Sequence, residues 1–172
     1  MGSIATSRPI AKHSFEDQNS LVLAGLRIAV GLVFLIFCEF KLVSTRFILH
    51  GGFQAFINHF LEDGAYPFMV PVLRGFVLRF GTAFALLTTP GELGIATSLL
   101  LGIWTRVASI GAFVFMAALL FAADYPGTGS PLWQYVGLAL RHLILAFCFL
   151  AFAVGDSERR LTIKSLTKLG RA

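Results

Sequence analysis

The chain has 172 residues, of which 56% are hydrophobic and 13% charged, with a formal net charge of +5 and a mean hydropathy of +0.79. Soluble domains carry about 25% charged residues, so this surface suits a solvent other than water, and the length fits one domain. The positive charge collects largely at the chain ends rather than on a folded basic surface, which argues against nucleic acid as a partner.

Residues 1–20 are a polar N-terminus that includes Glu16 and Asp17. They lack the basic start, adjoining apolar stretch and small-residue cleavage site of a secretory signal, so the first apolar run is expected to stay in the mature chain. That run, residues 21–43, has the length of a bilayer-spanning helix, with Asn19 or Ser20 as its cap. Arg27, Gly31, Phe34, Cys38 and Lys41 fall on one stripe of it. A stripe of small residues between two cations is expected to face protein rather than lipid. Glu39 lies roughly 120° away from Arg27 around the helix.

Residues 44–66 read as a connector, in which Phe47, Phe53, Phe56 and Phe60 are mixed with His50, Gln54, Asn58 and His59. That mixture predicts a short helix at the membrane interface. The two histidines have no third ligand beside them, so no metal site is predicted. Residues 68–103 are too long for one straight span, at about 54 Å of helix against a hydrocarbon core of about 30 Å. Pro90 cannot donate to a helix ladder and Gly91 weakens it, while Arg74 and Arg79 interrupt the first half. The preferred reading makes 68–79 an interfacial or re-entrant segment and 80–103 the second span, kinked near Pro90. The alternative divides the stretch into spans 66–87 and 91–107, giving five in all.

The third span covers 105–123. Residues 124–131, DYPGTGSP, are a turn with Pro131 placed at a helix start, and the fourth span covers 131–154. Trp104, Tyr125, Trp133 and Tyr135 lie near span ends, as interfacial aromatics do. Arg159, Arg160, Lys164, Lys168 and Arg171 make 156–172 a basic tail, read as a topological anchor. The predicted fold class is therefore all-α: an integral membrane four-helix bundle, residues 21–155, with an interfacial or re-entrant segment before the second spanning helix. Its first partner is membrane lipid. An even number of spans puts both termini on one side, and the distribution of Lys and Arg makes that side the cytoplasm.

Charges inside such a bundle are costly and usually have a partner or a task. Glu92 falls near the centre of the second span, and Arg141 and His142 near the centre of the fourth. Gln134, Gly137, Arg141 and Cys148 make the smaller and more polar side of that fourth span, so Arg141 is expected to turn towards Glu92. Together with His142 and Arg27 these residues form a candidate buried polar or quinone site. One reading makes Glu92 and Arg141 an ion pair that fixes bundle register; the other makes the group a cavity for a polar head group or a proton. A second cluster, Glu39, Lys41 and Arg79, is expected at the outward face, as a salt-bridge network or as the mouth of a lipid-facing pocket. Arg106 reads as a snorkelling anchor. Cys38 and Cys148 are expected roughly 18 Å apart in depth, too far for an internal disulfide. Nucleotide-binding glycines, a nucleophile elbow and zinc spacings do not occur, so no catalytic residue is assigned and an autonomous enzyme is not expected.

The stretch 92–108, ELGIATSLLLGIWTRVA, resembles the glutamate–small–LLLG–TR–A pattern of DoxX-like membrane proteins. Residues 27–34, RIAVGLVF, continuing to Lys41 and Leu42, are similar to their first helix, and residues 60–67 to the segment before their second. The likeness covers roughly residues 21–155. It implies a small four-helix protein of the bacterial cytoplasmic membrane. Some relatives are subunits of thiosulfate:quinone oxidoreductase, and others sit in membrane complexes with soluble redox or thiol-handling enzymes. By position it carries over Arg27, Lys41, Glu92 and Arg106. Cys38, where relatives often have glycine, and Glu39 depart from the pattern, so the first helix is expected to pack against a different partner. The functional expectation is a non-catalytic or co-catalytic membrane subunit of a redox complex. A quinone is the one cofactor considered, hydrogen-bonded by Arg141 or His142 with Glu92 handling its proton. The alternative is a structural or assembly subunit, docked on other protein subunits through its Phe-rich helices and basic tail. A transporter is the weakest reading, because four spans without an internal repeat lack the usual architecture.

Overall fold

The computed structural model describes residues 9–43, 45–155, 157, 161 and 162, with side chains described at all of these except 9–17, 40, 45 and 63. Among the described residues every regular element is helical: α1 (Pro9–Val43), α2 (Thr45–Leu49), α3 (Gly52–Asp63), α4 (Val70–Val72), a π-helical turn (Leu73–Val77), α5 (Gly81–Leu101), α6 (Thr105–Ala123) and α7 (Leu132–Val154). Four helices are long and apolar enough to cross a membrane: the Gln18–Val43 part of α1, and α5, α6 and α7. The chain is thus an all-α protein with the helices of a multi-pass membrane protein. Helix α1 is described from Pro9, so it is already helical well before a cap near residue 20. Of the basic tail only Ser157, Leu161 and Thr162 are described; Arg159, Arg160, Lys164, Lys168 and Arg171 lie outside the described residues.

A single helix, α5, runs through Pro90. This excludes the five-span division at that residue. Proline takes one N–H out of the ladder; close by, the Cys38 thiol donates to Thr89 O at 3.6 Å and Thr88 Oγ1 to Phe84 O at 2.8 Å. Gly102 ends α5 in the left-handed region at φ 67° and Trp104 precedes α6 at φ 54°. Two such residues in three positions reverse the chain within a very short link. Hence α5 and α6 are antiparallel neighbours.

Helix α1 packs along α5, and α6 along α7; contacts of α5 with α6 and of α1 with α7 close the bundle. Gly31 lets α1 approach closely, since a Cβ there would stand 3.1 Å from Leu99 and Leu100. The core at this level holds Val30, Phe34, Ala96, Leu99, Ala112, Met116, Ala146, Phe149 and Phe152, with the Phe34 and Phe149 rings edge-to-face at 5.2 Å. Ile36, Phe37, Leu87, Val107 and Phe147 are exposed. An apolar outer surface of this extent fits hydrocarbon rather than water. The bundle has two ends: a terminal end, with the close of α7, and a connector end.

The connector folds over its own end of the bundle. Phe47, Phe53, Ile57 and Leu73 bury a second core against Ala85 of α5 and Ala122 of α6. The short helix expected among the phenylalanines is α3. It stops at Gly64, whose Cβ, if present, would lie 2.3 Å from Ala123 O. Glycine is therefore required there to bring the chain against the end of α6. Tyr125 N then donates to Gly64 O at 2.8 Å and Tyr66 N to Phe121 O at 3.0 Å.

Candidate functional site

Helix side chains lean towards the N-terminus of their own helix, and this rule decides which charges meet. Lys41 belongs to α1 and leans away from the connector end. Glu92 belongs to α5, which starts at that end, and leans towards it. They meet between the helices: Lys41 Nζ lies 2.6 Å from Glu92 Oε1 and 2.7 Å from Oε2, and 5.4 Å from the centre of the Phe47 ring. The side chains are 18% and 6% exposed. The cation spans both carboxylate oxygens, which leaves the pair closed on itself.

Arg141 and His142 belong to α7, which also starts at the connector end, so both lean that way. There they meet Asp124, the residue that ends α6. Arg141 Nη2 donates to Asp124 Oδ1 at 2.9 Å, and His142 Nδ1 is hydrogen-bonded to Oδ2. Adjacent residues on α7 can share this carboxylate because it offers two oxygens. The Asp124 side chain is fully buried, His142 is 13% exposed and Arg141 is 66% exposed. Arg141 therefore has donors facing outward from a helix whose neighbouring outer residues, Leu138, Leu140 and Ile144, are apolar and exposed. The carboxylate on Nδ1 fixes the ring proton there and leaves Nε2 as the exchangeable nitrogen.

Aromatic rings gather around Tyr66, a neighbour of Asp124. Tyr66 lies 4.8 Å from Tyr125, 5.6 Å from Phe121 and 5.9 Å from Phe68 by ring centres, and Tyr125 lies 6.2 Å from Tyr135. Tyr135 OH donates to Gly127 O at 3.0 Å, which ties the 125–131 loop along the first turns of α7. Burial raises the Tyr66 phenol above the ordinary tyrosine range, and the neighbouring Tyr135, Asp124 and Tyr125 push it the same way.

Three sequence expectations are corrected. Glu92 does not pair with Arg141; its partner is Lys41, and Arg141 and His142 bind Asp124. Equal counts of residues along two spans do not give equal reach, because the side chains lean. Glu39, Lys41 and Arg79 do not gather at one face: Lys41 is turned inward to Glu92, Glu39 is exposed, and the Arg79 guanidinium lies 6.0 Å from the Phe80 ring. Arg27 does not join Glu92 or His142. It is fully buried at the terminal end, with Nη1 donating to Leu99 O at 2.6 Å and Nη2 to Leu161 O at 2.8 Å. The first of these carbonyls is one of those left open at the end of α5. Both cysteines are free thiols.

Asp124 and Tyr66 are functional candidates that the sequence reading missed. Asp124 falls in the expected turn, yet a lone carboxylate directly after an apolar span is within reach of cations on the next helix. Tyr66 had no sequence signal, since the link through Gly64 to the end of α6 is a tertiary contact. No family model, curated protein or solved structure matches this chain.

Proposed function

We propose that the protein is a small integral membrane subunit of a redox complex, and that Asp124, His142 and Arg141 form a head-group site for a quinone reached from the bilayer. The observation that carries the reading is Arg141: a guanidinium two-thirds exposed on an apolar outer helix face, steered by a buried carboxylate that also holds a histidine. A guanidinium in such surroundings calls for an acceptor. The residues fit a quinone, which needs a donor for a carbonyl oxygen, an exchangeable proton and aromatic surface. A bound quinone would supply a two-electron, two-proton acceptor, with the electrons coming from a partner redox protein. Arg141 would hold a ligand oxygen with its outward N–H groups. His142 would present Nε2 to the same region, and Asp124 would fix the ring and balance its charge when Nε2 is protonated. The Lys41–Glu92 pair, closed on itself, holds α1 to α5 and handles no ligand. Resemblance to DoxX-like proteins supports the same assignment, together with a bacterial cytoplasmic membrane and both termini in the cytoplasm, and it motivates treating residues 68–79 as an interfacial or re-entrant approach.

A second reading, an assembly subunit without chemistry, is favoured by glycines that the bundle does not use. A Cβ on Gly91, Gly94 or Gly137 would meet nothing, and outward small residues let another membrane helix approach closely. One experiment separates the two. Purified protein is titrated with a decyl-substituted benzoquinone while tryptophan fluorescence is followed. Saturable quenching, weakened about tenfold or more by Arg141→Gln as expected for a lost charge-assisted hydrogen bond, supports the head-group site. Quenching that does not saturate, or that Arg141→Gln leaves unchanged, leaves the assembly reading.

A further inference from the structure

We propose that Tyr66 is a third recognition residue of the Asp124–His142–Arg141 site, presenting its phenolic O–H to a second oxygen of the same ligand. The proposal rests on the reading of that site as a quinone head-group site and narrows the ligand class. A ring with two oxygen acceptors satisfies both Arg141 and Tyr66, whereas a single carbonyl satisfies one of them.

The argument begins with how Tyr66 comes to be there. The connector is not a slack link. Gly64 lies against the backbone of Ala123 with no room for a side chain, and paired backbone bonds, Tyr125 N to Gly64 O and Tyr66 N to Phe121 O, dock 64–66 on the end of α6. That end carries Asp124. Rings of Phe68, Phe121 and Tyr125 surround Tyr66 at centre distances from 4.8 to 5.9 Å. The ring is thus placed by backbone bonds and by packing, which is how a positioned group differs from a surface tyrosine.

The hydroxyls then differ in use. Tyr135 directs its O–H to Gly127 O, a structural bond that holds the loop. The Tyr66 hydroxyl makes no hydrogen bond among the described residues, although its side chain is only partly exposed. The hydroxyl is not one of the buried unpartnered polar atoms, so it is open to a group arriving from outside, and its electrostatic neighbours, Asp124 and the tyrosines at 125 and 135, place it beside the site. A phenol is protonated, and so a donor, throughout the neutral range.

The test uses the full chain in detergent and the decyl-substituted benzoquinone. Tyr66→Phe keeps the ring stack and removes only the O–H. Binding is expected to weaken about tenfold, the scale of one net hydrogen bond, with the thermal unfolding midpoint unchanged. A decyl-substituted cyclohexenone, with one carbonyl, is expected to bind equally to wild type and Tyr66→Phe. Phenolate absorbance gives a readout independent of affinity: one tyrosine titrates late in the wild type, is missing in Tyr66→Phe, and moves later still when the quinone is bound. If the wild type binds the quinone, and Tyr66→Phe binds it equally or the late titration ignores the ligand, the role of Tyr66 is overturned and the head-group site stands. If the wild type does not bind the quinone, the head-group site falls and the role of Tyr66 falls with it.

Discussion

Two ionic groups of the described residues can be set side by side, and their difference separates structure from candidate function. Between α1 and α5, Lys41 covers both oxygens of Glu92, and little of either side chain is exposed. At the junction of α6 and α7, Asp124 is wholly buried and divides its oxygens between His142 and a largely exposed Arg141. The first group is complete within the chain. The second has donors directed outward and a histidine nitrogen opposite the one that is bound. A buried charge by itself therefore says little about function; what matters is whether its partners exhaust one another.

The largest expected effect tests the closed pair. Glu92→Ala strands Lys41 in the helix seam and should cost about 3–5 kcal/mol, the usual cost of breaking a buried pair by removing one partner. The loss would be read as a fall in the unfolding midpoint in detergent. The double replacement Lys41→Met with Glu92→Leu should recover most of it. A double variant as damaged as the single one would mean that the pair does not hold the seam.

Asp124→Asn should cost less, about 2 kcal/mol, because the isosteric amide keeps an oxygen that can accept from Arg141. Its sharper effect should be on ligand: quinone binding should be lost while helical content persists in circular dichroism. Equal effects of the Glu92 and Asp124 variants on stability and on binding would dissolve the distinction between the two groups.

Gly64→Ala should cost about 1–3 kcal/mol by overpacking, since its Cβ would meet a backbone carbonyl that cannot swing aside. The loss should appear locally, as faster amide exchange across 64–69 than in α1, and it should loosen Tyr66 without touching Lys41–Glu92. Uniform exchange would mean that the connector is not a separately docked unit.

The smallest effect concerns pH. The Tyr66 phenol titrates above the ordinary tyrosine value of 10.0 in the folded protein, so the native state holds that proton more tightly than the unfolded chain. Its contribution to stability is complete below about pH 10 and is lost as pH rises through the folded pKa. Tyr66→Phe should therefore flatten part of the alkaline decline in unfolding midpoint and leave the neutral region unchanged.

Much of the fold was legible because a bilayer reads length and apolarity directly. The four long helices fall close to the apolar runs of the sequence, and the Phe-rich connector does form a short helix. The extent of α1 before residue 20 was not legible, since its first turns lack an apolar pattern. The candidate site was legible only as an inventory. Arg141, His142, Glu92 and Lys41 were all singled out, yet the partners were exchanged: matching depth by counting residues from span ends ignores both the lean of long side chains and the inward placement of Asp124. Tyr66 was out of reach for a different reason. Its position depends on Gly64 fitting against Ala123, a contact between residues about sixty apart that no local spacing encodes.

Arg27 shows how late this fold can be completed. Its guanidinium lies in the first spanning helix, yet its carbonyl partners are 72 and 134 residues downstream. During synthesis that helix leaves the ribosome well before one of these acceptors, Leu161 O, which lies beyond the fourth spanning helix, has been made. A cation in hydrocarbon short of acceptors is disfavoured, so the helix should linger beside the insertion machinery or at the lipid–water boundary until the segment after the fourth span arrives. Chains cut short before Leu161 should therefore reach the membrane but settle badly, and be cleared sooner than full-length copies. The guanidinium thus ties the first spanning helix to the segment that follows the fourth.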